Sequence, residues 1–143
     1  MNDELSTYTF DEIEIGLTRQ FQITVTETMI DDFARLSGDF SPIHMDEVYA
    51  NTTNFHKRVA PSMLLASFLS RMVGMYLPGK HALYFSQSLN FQSPCFLGDV
   101  ITVSSAVIDK SPSTKILKIE SKITNQDGKI LLSGIGRVIV RDD

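Results

Sequence analysis

One cysteine, Cys95, is all that the 143-residue chain contains. A lone cysteine excludes an internal disulfide framework and any multi-cysteine zinc site within one chain, and it suits a reducing, cytoplasmic setting. Positive charge is also scarce: 13 Lys and Arg against 17 Asp and Glu leave a net charge of -4. A general nucleic-acid binder neutralises phosphates with a clustered basic surface. The basic cluster here is short, His56-Lys57-Arg58, so no nucleic-acid partner is expected. Long hydrophobic runs are missing as well. The greasiest stretch, Met63 to Leu77, is broken by Ser67, Ser70 and Arg71 and is too short to span a bilayer. The first residues, Met1-Asn2-Asp3-Glu4, are acidic where a secretory signal would be basic. Neither a membrane nor an export route is expected. With eight glycines, five prolines, no repeat and no Pro/Gly/Ser linker, residues 1–143 are expected to form a single domain. A chain of this size buries roughly two thirds of its unfolded surface, so neither metal nor disulfide is needed to hold it.

What is present reads as a change of period along the chain. Phe21-Gln22-Ile23-Thr24-Val25 alternates apolar and polar residues, as a half-buried strand does. Thr28 then reads as an N-cap, and Ile30, Phe33, Ala34 and Ser37 fall at helical spacing until Gly38 stops them. Gly38-Asp39 is thereby delivered into a loop, which Pro42 is expected to keep from continuing as helix. A second short helix begins near Asp46 and runs through Val48, Tyr49 and Ala50. Ser62 to Tyr76 is apolar on nearly all sides and ends at Pro78-Gly79, which predicts a helix buried around most of its circumference. Every later segment reads as strand: Leu83 to Phe91, Val100 to Ile108, Lys115 to Thr124 and Lys129 to Val140, with a hairpin signal at Asn125-Gln126-Asp127-Gly128. Gly134 and Gly136 lie two apart on one face of the last strand, where a backbone approaches closely or the sheet curves. One buried helix followed by long antiparallel strands is the α+β pattern of a sheet wrapped around a central helix.

No P-loop, HExxH or G-x-S-x-G elbow occurs, and Gly134-x-Gly136 lacks the setting of a dinucleotide fingerprint. The histidines at 44, 56 and 81 have no metal-ligand spacing, so no metal and no cofactor are expected. The informative segment runs from Phe33 to His44. Asp39 and His44, an acid and an imidazole five positions apart with Pro42 between them, can act together on one small molecule such as water. The plainer possibility is that Asp39 caps a turn after Gly38 while His44 is a satisfied, partly buried histidine, and spacing does not choose between the two.

The same residues resemble a family. Phe33-Ala34-Arg35-Leu36-Ser37-Gly38-Asp39-Phe40-Ser41-Pro42-Ile43-His44, followed by Ala50, looks like the hydratase-2 motif of the MaoC-like (R)-specific enoyl-CoA hydratases and dehydratases. Arg58-Val59-Ala60-Pro61-Ser62-Met63-Leu64 resembles the family's Arg-(Ile/Val)-Ala-His-Gly-Met-Leu segment. Leu83 to Phe91, with Pro94 and Gly98-Asp99, resembles the strand and turn that follow the central helix. The resemblance implies a hot-dog fold and a hydro-lyase of fatty-acid metabolism. It would act on acyl-CoA or acyl-carrier-protein thioesters as a homodimer, with the site at the subunit interface and the acyl chain along the helix. It places Asp39 and His44 at the acid/base positions and the Ser62 N–H where a glycine N–H polarises the thioester carbonyl. Two departures stand out: Ser41 replaces the usual asparagine, and Pro61-Ser62 replaces His-Gly.

Around these residues, Pro61 and Met63 are candidates to line the acyl site, and Lys57 and Arg58 to meet the phosphates of the carrier. For Lys57 and Arg58 the alternative is a solvated basic corner. Two other functions share the fold: a thioesterase, and a non-catalytic acyl-thioester-binding subunit suggested by Pro61-Ser62.

Overall fold

Alternating burial builds the sheet. The computed structural model describes residues 4–143, and in them β1 (Thr18–Thr24), β2 (Ala82–Gln87), β3 (Asn90–Phe91), β4 (Val100–Ser111), β5 (Ile116–Thr124) and β6 (Ile130–Val140) form one antiparallel sheet. Its order is β1-β4-β5-β6-β2, with β3 also paired to β6. Ile101, Val103, Val107, Leu117, Ile119, Ile123, Leu132 and Val138 turn to one face and are buried, while neighbours such as Glu120, Lys122 and Arg137 remain exposed. Ser105 and Ser121 oppose each other in the β4–β5 register and share a hydrogen bond of 2.6 Å inside the core, which removes the cost of burying two hydroxyls.

Over this face lies the central helix, α4 (Ser62–Arg71), continued by a π-helical turn at Met72–Tyr76. Leu64, Leu65, Phe68, Leu69, Met72 and Val73 join the sheet residues in one apolar cluster. The expected span of 62–76 is therefore present, buried or half-buried except along one stripe, where Ser62, Met63, Ser67, Ser70 and Gly74 are exposed. Serine and glycine supply all of that stripe but Met63, so the segment is apolar by count and amphipathic by position.

The other helices, α1 (Glu27–Ser37), α2 (Pro42–Met45) and α3 (Glu47–Thr52), sit between β1 and α4 in the chain. The N-cap of α1 is Thr26, two residues before the expected Thr28; its side chain accepts the Met29 N–H at 3.2 Å. Asp46 caps α3 as expected, accepting the Tyr49 N–H at 3.0 Å. Pro42 begins a helix instead of preventing one, because a first-turn position needs no N–H and suits the fixed φ of proline. The strand expected over Leu83 to Phe91 divides into β2 and β3, with a register shift between Tyr84 and Ser86. Gly134 makes this crossing possible: a Cβ there would stand 1.9 Å from the Ser88 carbonyl oxygen.

Candidate active site

The site begins at the C-terminus of α1. Gly38 closes the helix in the left-handed region at φ 83°, donating its N–H to the Ala34 carbonyl at 2.8 Å. Ser37 Oγ donates to the Phe33 carbonyl at 2.7 Å and accepts the Asp39 N–H at 3.1 Å, so the chain leaves the helix in a defined direction. Asp39 Oδ1 accepts the Ser41 N–H at 3.2 Å. That turn fixes the carboxylate and leaves Oδ2 available, 3.6 Å from His44 Nε2. Asp39 thus caps the turn with one oxygen and turns the other toward His44.

His44 lies on α2, and its ring is oriented from the far side. Nδ1 is 2.6 Å from the Val59 carbonyl, an acceptor only, so Nδ1 carries the proton and donates. In the neutral ring the lone pair is then on Nε2, facing Asp39. The two side chains differ in wetness, His44 at 15% exposure and Asp39 at 44%. A separation of 3.6 Å is long for a direct hydrogen bond. One water oxygen can reach both atoms at about 2.8 Å each.

Both groups open into a cavity of about 470 Å³ lined by Phe33, Ser37, Asp39, His44, Pro61, Ser62 and Met63. Its floor is the N-terminus of α4. First-turn N–H groups have no partner within their own helix, and Pro61 at the N-cap brings neither an N–H nor a capping side chain. Among the described residues no acceptor meets the Ser62 N–H. The cavity is therefore lined by a carboxyl side chain, an imidazole and the first residue of a helix, residue types that can move a proton and stabilise charge on a carbonyl oxygen.

Five of the residues singled out from the sequence, Asp39, His44, Pro61, Ser62 and Met63, come together here. Lys57 and Arg58 do not line this cavity. Lys57 is exposed, with Nζ 4.4 Å from the Phe96 ring centroid. Arg58 is buried, and its guanidinium is turned to the His44 carbonyl, Glu27 and Asp31. Three contributors escaped sequence reasoning: Phe33 and Ser37, which line the cavity from α1, and the Val59 carbonyl. The spacing of Phe33 and Ser37 placed them on one helical face, but spacing does not say whether a face meets core or cavity. A backbone carbonyl leaves no signal at all.

Among the described residues no group of three His, Cys, Asp or Glu side chains is placed to hold a metal ion, and no helix is long and apolar enough to cross a membrane.

The chain matches the family model described as MaoC like domain over residues 11–128. It is 37% identical to the (R)-specific enoyl-CoA hydratase of Rhodospirillum rubrum, covering 96% of this chain and 95% of that protein. The (R)-specific enoyl-CoA hydratase of Aeromonas caviae is 34% identical over 85% of this chain and 91% of its own. Among solved structures, the unliganded R-hydratase of Pseudomonas aeruginosa superposes with a TM-score of 0.93 at 30% identity, covering 97% of this chain and 89% of that one. Fold, sequence match and shared length agree, and the chain belongs to the MaoC-like family.

Proposed function

We propose that the chain is a hydro-lyase that adds water across the double bond of 2-enoyl thioesters and removes it from (R)-3-hydroxyacyl thioesters, working as a single domain over residues 1–143. The observation that carries this is the facing of Asp39 Oδ2 and His44 Nε2 at 3.6 Å beside a cavity that Ser62, the first residue of α4, also lines. The relatives' names agree in reaction: two are (R)-specific enoyl-CoA hydratases and a third, from Methylorubrum extorquens, is a 3-hydroxybutyryl-CoA dehydratase.

A water between Asp39 and His44 gives one proton to the pair while its oxygen bonds to C3. The C2=C3 electron pair moves toward the carbonyl, and the resulting enolate oxygen is met by the Ser62 N–H at the positive end of α4. The enolate then collapses and C2 takes a proton from the same pair, so one O–H bond is broken, one C–O and one C–H bond are made, and no net proton is consumed. Either member can make the first transfer, since a water shared by two bases gives its proton to a coupled pair. The substrate is an acyl-CoA or acyl-carrier-protein thioester, with its acyl chain along the exposed stripe of α4 and Pro61 and Met63 at its entrance. Lys57, outside the cavity, exposed and resting over the Phe96 ring, can extend to carrier phosphates.

Assembly as a homodimer through the edge of β2 is part of the same proposal. Among the described residues β2 pairs only with β6 and its other edge is unpaired, with Leu83 at 54% and Phe85 at 64% exposure. An open, apolar edge strand is what a second copy covers. A cytoplasmic setting accords with Cys95, whose thiol is buried and pushed up to about 12, chiefly by desolvation.

The test is to give the protein crotonyl and longer enoyl thioesters and to follow loss of the conjugated double bond, thiol release and product configuration separately. Loss of conjugation to the (R)-3-hydroxyacyl thioester with no thiol release is the expected result. Thiol release would make the chain a thioesterase, and binding without either change would make it a carrier of the ligand only. Sedimentation at micromolar concentration should give a dimer, and a monomer would remove the proposed interface.

A further inference from the structure

His44 is held by an element that cannot hold itself. The helix α2 has four residues and fully buries none of them; Met45 alone of its side chains packs against the core cluster, which does not orient the His44 ring. What does fix it comes from residues 58 and 59. Val59 donates its N–H to the Ile43 carbonyl at 3.1 Å and accepts His44 Nδ1 at 2.6 Å. Arg58 donates Nε to the His44 carbonyl at 2.5 Å. Its other two nitrogens turn the opposite way: Nη1 donates to Glu27 Oε1 at 3.1 Å, and Nη2 lies 3.7 Å from Asp31 Oδ1. Glu27 and Asp31 are four apart on α1, hence on one face of the helix whose far end presents Asp39.

From this we infer that Arg58 is a positioning residue: its guanidinium ties the first turn of α1 to the backbone of α2 and so sets where the His44 ring meets Asp39 and the Val59 carbonyl. The side chain is 7% exposed, so its charge is satisfied by these partners and not by water. A planar fork with donors in fixed directions can serve a carbonyl on one side and two carboxylates on the other, whereas an ammonium is a single point donor. The inference deepens the proposed hydration and rests on it for its effect on rate, though not for its effect on the ring.

The experiment compares the parent with Arg58→Lys by steady-state hydration of crotonyl thioester and by nitrogen NMR of the imidazoles, the His44 signals being those that vanish in His44→Ala. Arg58→Lys should lower kcat about 10- to 100-fold, the scale expected for a misplacement of the order of an ångström, with KM within about threefold. Its His44 ring should lose the single Nδ1–H tautomer and show a mixture. A purely structural Arg58 would lower the melting temperature while leaving kcat per folded molecule and the tautomer as in the parent, and that result overturns the inference. Should Arg58→Lys fail to fold, Glu27→Gln combined with Asp31→Asn releases the same guanidinium from the outside, where the carboxylates are 67% and 36% exposed. That pair should shift the tautomer the same way and lower kcat by about 3- to 10-fold; an unchanged ring there overturns the inference as well. A parent that holds the tautomer but hydrates nothing would refute the proposed reaction while the tautomer comparison still decides the role of Arg58.

Discussion

In β5, Leu117, Ile119, Ser121 and Ile123 are all buried and each is backed by neighbours on β4 and β6, whereas α2, four residues that carry His44, fully buries none of them. The sheet is held by many interchangeable apolar contacts, any one of which is a small part of the whole. The corner proposed to be catalytic is held by a few directed ones: Ser37 to Asp39, Asp39 to Ser41, Val59 to His44, Arg58 to α2. The difference teaches that stability and chemistry reside in separate residues. Damage to the corner should cost rate without unfolding, and damage to the sheet should cost stability without altering the turnover of molecules that remain folded.

The strongest way to break this separation is at the pair itself. Asp39→Asn and His44→Ala should each reduce kcat/KM for hydration by about 10²- to 10⁴-fold, the usual contribution of a general acid or base. The unfolding free energy of Asp39→Asn should stay within about 0.5 kcal/mol of the parent, since Asp39 is partly solvated and the amide oxygen can still accept the Ser41 N–H. Insoluble protein instead of inactive protein would mean that the two regions are one cooperative unit.

The converse comes next in size. Leu132→Ala, at a residue with 0% exposure, should lower unfolding free energy by about 2–5 kcal/mol. Turnover per folded molecule should hold within about twofold, measured below the new melting transition. Gly134→Ala sharpens the same point, because its Cβ would stand 1.9 Å from the Ser88 backbone oxygen. The backbone must shift, at a cost of about 1–3 kcal/mol.

A smaller effect appears with pH. Cys95 is pushed up to about 12 by desolvation first and by Asp99 second, from the ordinary thiol value of 9.0. The folded state keeps the proton that the unfolded chain gives up, so this contribution is intact below pH 9 and is lost as pH rises from 9 toward 12. The denaturant midpoint of the parent should therefore fall more steeply between these values than that of Cys95→Ala, while the hydration rate of folded protein is unaffected by the substitution. The smallest change is Ser62→Gly at the cavity floor. The N–H is retained and a side chain is removed, so hydration should be equal or somewhat higher, with a wider range of acyl groups accepted; a drop of about 10-fold or more would mean that the Ser62 side chain holds the donor in place.

Much of this arrangement was legible because the residues that make it are local. Phe21 to Val25, the Gly38 stop, the Asp46 cap and the Asn125–Gly128 hairpin each carry their own turn or period signal within a few positions. The Phe33 to His44 motif placed Asp39 and His44 beside each other in sequence before the structure placed their side chains together. What was not legible depends on distant partners. The role of Arg58 is set by Glu27 and Asp31, some 30 residues earlier, and an arginine beside a lysine reads as surface until its partners are known. The exposed stripe of α4 was hidden because its small residues, Ser62, Ser67, Ser70 and Gly74, are spread among apolar ones and show their common face only once the helix is formed. The start of helix at Pro42 was missed because proline both ends helices and begins them, and only the preceding Asp39–Ser41 turn decides which.

The central claim is that Asp39, His44 and the Ser62 N–H together direct water to C3 of an enoyl thioester. Its most direct test is hydration of crotonyl thioester in heavy-oxygen water by the parent and by Asp39→Asn, with the label located by mass spectrometry. The account predicts label on the C3 hydroxyl of an intact (R)-3-hydroxyacyl thioester in the parent and about 10²-fold or more less of it in the variant. Label in a free carboxylate, or equal labelling of C3 by both proteins, would contradict it.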